Sequence, residues 1–131
     1  MELKMKFTIE QIAIAPKDPV AAKKLLSEIG ATEWSEDHVV ATGNVFGQRG
    51  TNEARNTVSH LGMHCSADDL IEWRVFFQSR GIDVAQEVMT ESHTNPVIAG
   101  KRSYNYVIFD TKDILGVDLK FIVRINKDDS V

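Results

Sequence analysis

Two segments of this chain repeat each other, and the repeat narrows the architectures open to it. Gln11-Ile12-Ala13-Ile14 lies over His60-Leu61-Gly62-Met63, the helix starts marked by Asp18 and Ser66 correspond to within one residue, and Gly30 and Gly81 close the stretches that follow. Each half therefore leads with a strand and a helix. Asp18-Pro19 supplies an N-cap and a first helical residue whose missing N–H does no harm. Ala22, Leu26 and Ile29 then form an apolar stripe that ends at Gly30, placed as a C′ glycine. In the second half Ser66 with Asp69 makes an approximate capping box, and the helix buries Leu70, Trp73 and Phe77 before stopping at Gly81. Asp68, Asp69 and Glu72 suit the positive end of that helix's dipole and are given no catalytic role.

Period-two alternation marks strands over residues 6–15 and 37–46, and again over Ile82–Thr90, Ser103–Asp110 and Gly116–Arg124. His38, at the start of the second of these, has no visible partner and reads as solvated. The polar segment Gly47–Thr57 has room for one short strand at most, Glu91–Gly100 is a loop with Pro96, and the charged tail Asn126–Val131 is expected to fray. The expectation is an α+β fold in a single domain over residues 1–131, with module one over about 5–57, shortened, and module two over about 58–125. A helix that follows one strand of a mainly antiparallel sheet covers the sheet's apolar face. The other face is left free to curl over a ligand.

Composition removes several classes. At 131 residues, 43% apolar and 26% charged, the chain is long enough for one genuine core and shows no disorder or coiled-coil bias. A net charge of −4 with the 15 Lys and Arg scattered argues against a nucleic-acid partner. A single cysteine excludes an internal disulfide and cannot alone build a thiolate zinc site. The first residues hold no apolar run fit for a signal peptide and no segment is apolar enough to span a membrane, so the cytoplasm is the expected compartment.

Chemistry concentrates in Val58–Ser66. On a strand, His60, Gly62 and His64 point one way and Leu61, Met63 and Cys65 the other, giving a polar face with a small residue at its centre. A histidine pair of this kind is a metal or catalytic feature only with partners from elsewhere in the chain, and otherwise a hydrogen-bonded or solvated pair. Cys65, on the apolar side, reads as a buried and inert thiol. Near the end of the chain Asp118, Lys120, Ile122 and Arg124 share one strand face while Leu119, Phe121 and Val123 face the helix. Tyr104 and Tyr106 share a face of the adjacent strand, as hydroxyl donors or as a half-buried surface. Lys101, Arg102 and His93 border the long loop, as a rim or simply solvated.

Gln11-Ile-Ala-Ile with Leu25-Leu-Ser-Glu-Ile-Gly30, Ser59-His-Leu-Gly-Met-His64 before the helix ending at Gly81, and Phe109-Asp-Thr111 with Leu115-Gly-Val-Asp-Leu-Lys-Phe-Ile122 come in an order that resembles the vicinal oxygen chelate superfamily. That group contains glyoxalase I, bleomycin resistance proteins, methylmalonyl-CoA epimerase and extradiol dioxygenases, and the resemblance covers nearly the whole chain. It implies paired βαβββ modules, glyoxalase-like, forming a mainly antiparallel curved sheet around a cleft, with helices on the outer face. In metal-using members a ligand sits on the first and last strand of each module. Carried over, those positions are Gln11, an acidic or polar residue late in the first module, His60 and Lys120.

His60 suits such a role. Gln11 offers only a neutral amide oxygen, and the Lys120 ammonium has no lone pair and repels a dication. The expectation is a degenerate member that keeps the cleft, has no metal cofactor and binds a small anionic molecule through Gln11, His60, His64, Tyr104, Tyr106, Lys120 and Arg124. Whether it catalyses anything stays open. The competing expectation is a metal-dependent lyase, epimerase or dioxygenase with a divalent metal on His60 and His64 and a third ligand from Glu53 or His93. A homodimer is expected because the short first module leaves a strand edge unpaired and apolar residues such as Ile12, Ile14, Val40 and Phe46 in need of cover.

Overall fold

In a computed structural model of the chain, both capping signals become helix ends. The Asp18 carboxylate accepts the Ala21 amide at 3.0 Å and opens α1 (Pro19–Glu28), and Ser66 Oγ accepts the Asp69 amide at 3.0 Å and opens α2 (Ala67–Gln78). Gly30 and Gly81, just beyond these helices, take φ of +116° and +72°, the left-handed region in which a glycine carries no Cβ penalty. The structure describes residues 4–34, 39–45, 48–50, 59–92, 97 and 100–126, with backbone only for 39–45, 48–50 and 92. His38, Phe46, Glu53, His93 and Pro96 lie outside the described residues, as does the tail beyond Asn126.

The strands are β1 (Gln11–Ala13), β2 (Val39–Val45), β3 (Gln48–Gly50), β4 (His60–His64), β5 (Val84–Ser92), β6 (Arg102–Phe109) and β7 (Asp118–Asn126), with a single turn of helix, α3 (Lys112–Leu115), before β7. They form one open sheet in the order β1-β4-β7-β6-β5-β2-β3. Only β4 and β7 run parallel; every other neighbouring pair is antiparallel. The fold is thus α+β and mostly antiparallel. None of its described helices is long and apolar enough to cross a membrane.

The second half builds a complete β-α-β-β-β unit, because α2 carries the chain from β4 across one face and the β5-β6-β7 meander returns to lie beside β4. Alternation along the strands sends Met63, Val107, Phe109, Leu119 and Phe121 to that face, where they pack with Leu70, Trp73 and Phe77 of α2. The rings interlock. Phe77 stacks on Phe109 at 4.4 Å between centroids, and Trp73 lies 4.8 Å from Phe121. Burial of each such ring stabilises the fold by roughly 2–3 kcal/mol. The opposite face is also apolar at its centre, with Val88, Tyr106, Ile108 and Ile122 in a second buried cluster.

The first half differs from its repeat. β1 joins β4 at one edge of the sheet, whereas β2 and β3 pair onto β5 at the other, so these strands do not close a unit of their own among the described residues. Helix α1 forms where the capping signal puts it but buries none of its residues; Val20 and Leu25 are 81% and 59% exposed. β1 is also shorter than the alternation over 6–15 suggests. Beyond its three residues the neighbouring amides turn to side-chain acceptors, Thr8 N–H to Met63 Sδ at 3.1 Å and Ala15 N–H to Ser59 Oγ at 3.2 Å, and the ladder stops.

Candidate functional site

Strand register gathers the sequence-predicted residues on the face that α2 does not cover. Gln11 pairs with Gly62, Gly62 with Lys120, Lys120 with Ile108 and Ile108 with Gln86, which makes one row straight across five strands. On one side of that row His60 pairs with Asp118; on the other His64 pairs with Ile122 and Ile122 with Tyr106, followed by Arg124 beside Tyr104. Gln11, His60, His64, Tyr104, Tyr106, Lys120 and Arg124 therefore share one surface. Gln11, His64 and Arg124 are exposed, His60, Tyr104 and Lys120 half-buried, and Tyr106 buried. Lys101 is exposed and Arg102 half-buried at the start of β6.

Lys120 stands at the middle of this face with its ammonium 4.2 Å from the centroid of the Tyr106 ring. The π-face replaces part of the lost hydration. Among the described residues Lys120 forms no ion pair, and burial alone lowers its pKa from 10.5 to about 8. Beside it, Gln86 is 1% exposed; its amide nitrogen donates to the Tyr106 hydroxyl at 3.2 Å, while its Oε1 is buried with no hydrogen-bond partner among the described residues. A buried cation and a buried free acceptor on one face are each costly alone. Both favour a polar molecule that meets them.

At the end of β4 the chain builds a second polar group. Glu10 grips His64 twice: Oε1 accepts the His64 backbone N–H at 2.9 Å, and Oε2 lies 3.4 Å from the ring Nδ1. The Glu10 amide in turn donates to Gly62 O at 2.9 Å, so the carboxylate is fixed at both ends. Glu10, His64, Cys65, Arg124 and Asn126 line an open cavity of about 550 Å³. Burial, with Asp69 and Glu10 adding repulsion, pushes the Cys65 thiol up to about 11, in keeping with an inert sulfhydryl. A smaller cavity of about 290 Å³ lies on the helix side between Arg74, Gln78, Ile82 and Phe109.

Sequence reasoning missed Glu10 and Gln86. Gln86 carried a signal, since Gln86, Val88 and Thr90 alternate onto the same buried face as Tyr106. Glu10 carried none, because its partner is 54 residues away.

The donors at the ligand positions that the resemblance implies do not fit a divalent metal. Lys120 turns an ammonium toward the Tyr106 ring where an anionic or lone-pair donor is needed, and no three or more His, Cys, Asp or Glu side chains among the described residues converge on a point that could hold an ion. Glu53 and His93, the other candidate ligands, lie outside the described residues. No protein-family model, curated protein or solved structure matches the chain.

Proposed function

We propose that this chain is a degenerate vicinal-oxygen-chelate-like domain that binds a small anionic molecule on the open face of its sheet, with Lys120 as the counter-charge. The observation that carries the proposal is the Lys120 ammonium, half-buried over Tyr106 and without an ion pair among the described residues. An anion placed there neutralises a charge that no ion pair among the described residues compensates, in a poorly solvated position. Gln86 Oε1 and the Tyr104 and Tyr106 hydroxyls lie on the same face and offer polar contacts that set orientation. The metal-dependent lyase, epimerase or dioxygenase keeps only the shared face of His60 and His64 in its favour.

The paired-module architecture is supported by the β1–β4 register. The alignment that lays Gln11 on His60 also lays Ala13 on Gly62, and the strands pair Gln11 with Gly62 and Ala13 with His60. That is the register a two-fold axis relating the two repeats would impose. Among the described residues no strand closes the first module beside β1, and a second copy of the chain supplies the cover in a homodimer.

Anion binding at Lys120 carries a proton signature. A bound anion raises the affinity of Lys120 for its proton, so at pH 8, where burial leaves the amine about half-charged, binding takes up a proton from the buffer. Titration calorimetry with pyruvate and phosphate in buffers of different ionisation enthalpy is the test. Expected are saturable binding with proton uptake in the parent, and loss of both in Lys120→Met. Binding that survives in Lys120→Met unchanged, or no binding of any small anion, overturns the proposal.

A further inference from the structure

The cavity at the end of β4 is electrically two-sided. At one end the Glu10 carboxylate is held against His64 beside Cys65, and its charge makes that end negative. At the other end stands Arg124, exposed and without an ion pair or hydrogen bond among the described residues. Parallel pairing sets His64 beside Ile122, so Arg124 begins two residues further along the neighbouring strand, about 8 Å away between Cα atoms. A guanidinium reaches a carboxylate across such a gap with both of its prongs.

The state of the imidazole decides what the negative end can take. Glu10 Oε2 lies 3.4 Å from Nδ1, a contact that favours the tautomer with its proton on Nδ1, in which Nε2 is an acceptor facing away from the carboxylate. With Oε1 already occupied by the His64 amide, Glu10 works as a positioning residue and His64 Nε2 is the free acceptor. A plain carboxylate satisfies Arg124 and leaves Nε2 with nothing to accept. A carboxylate with a hydroxyl or ammonium on the next carbon satisfies both. The cavity, at about 550 Å³ and open to solvent, has room for such a molecule and a few waters.

We propose that the Glu10–His64–Arg124 cavity is a binding site for a small carboxylate bearing a hydrogen-bond donor on its α- or β-carbon, a hydroxy acid or an amino acid. Arg124 takes the carboxylate, His64 Nε2 accepts from the donor, Asn126 closes the side of the cavity, and Glu10 holds the ring in place. The site shares with the proposed function only the anionic sign of the ligand. It does not use Lys120.

The test is nitrogen-15 NMR of the His64 ring and the Arg124 side chain during titration with lactate, glycine and propionate, in the parent and in Arg124→Gln, Glu10→Gln and Lys120→Met. Lactate, glycine or both are expected to give saturating shifts at His64 and Arg124 with at least tenfold higher affinity than propionate, and the better of the two names the donor. Arg124→Gln loses that binding at least tenfold. Glu10→Gln frees the ring, so propionate and the preferred ligand bind alike. Lys120→Met leaves all of it intact, which separates this site from the one on the sheet face. Equal affinity for propionate in the parent, binding that survives Arg124→Gln, or binding that disappears in Lys120→Met overturns the proposal.

Discussion

The side chain of Gln11 lies across the α-carbon of Gly62, so that a β-carbon on Gly62 would stand 2.7 Å from Gln11 Oε1 and 3.2 Å from its Cβ. Glycine at this position is a matter of space rather than of backbone angle. Gly62→Ala drives the Gln11 amide off the strand, and because the atom met first is the end of a flexible side chain the cost is about 1 kcal/mol or less. The double variant Gln11→Ala/Gly62→Ala is expected to recover that loss, since the clash disappears while alanine suits a strand better than glycine. Urea unfolding of the two single variants and the double variant measures the coupling. An additive result would mean that the two residues do not meet.

What could be read along the chain was what local chemistry decides. Asp18 and Ser66 cap their helices through amides three residues away, and Gly30 and Gly81 end them through their own φ, so no distant partner is consulted. The period of two separates Lys120 from Phe121, and puts Tyr104 and Tyr106 on a common face, without knowledge of strand order. Strand order itself was not legible. The placement of β2 on β5, and of β1 at the far edge, is settled by pairing between residues dozens apart, for which alternation carries no address. The Glu10–His64 contact was hidden for the same reason. Ala22, Leu26 and Ile29 form an apolar stripe, but an apolar stripe states only that cover is wanted and not that the chain supplies it.

Lys120 makes stability depend on pH in a direction opposite to that of a salt-bridged lysine. Its pKa is lowered in the folded state, so between about pH 8 and 10.5 the unfolded chain binds more protons and stability rises with pH through that window. Below about pH 8 both states are charged and the whole penalty of the half-buried ammonium is present. Lys120→Met is therefore expected to stabilise the protein at pH 7, by on the order of 1–3 kcal/mol after allowance for the Tyr106 ring and residual solvent. That advantage shrinks toward zero as the pH approaches 10.5. Denaturant midpoints of parent and variant at pH 7 and pH 10 give the comparison, and a parent more stable than Lys120→Met at pH 7 would show that the ammonium has a counter-charge.

Cys65 should behave as a protected thiol. With its pKa near 11 rather than 9.0, it carries about a hundredfold less thiolate at pH 8 than a free cysteine. Alkylation by iodoacetamide is expected to be slower by a similar factor, and to accelerate in Glu10→Gln because one of the two carboxylates that oppose ionisation is gone. A parent rate equal to that of a free thiol would show that neither burial nor the two carboxylates protect the sulfur.

The proposed homodimer has a surface to form it. Ile12 in β1 and Ile14 just after it are 69% and 66% exposed, and Leu25 of α1 and its C-cap residue Ile29 are 59% and 73% exposed, although each sits in a segment whose apolar residues sequence alone would bury. The outer edge of β1 adds N–H and C=O groups that no described strand takes up. In a monomer, changing Leu25 or Ile29 to aspartate would alter little, because a substitution at a solvent-facing helix position shifts stability by about 0.5 kcal/mol or less. In a two-fold pair the same changes bury charge at the interface and separate the chains. Sedimentation equilibrium over a hundredfold dilution is expected to show twice the 14.7 kDa chain mass for the parent and the single-chain mass for Leu25→Asp/Ile29→Asp. The far-ultraviolet circular dichroism of that variant should stay close to the parent's, since the ring core between α2 and the sheet does not involve α1. A parent mass near 14.7 kDa throughout would refute the dimer and leave α1 to be covered by residues of its own chain.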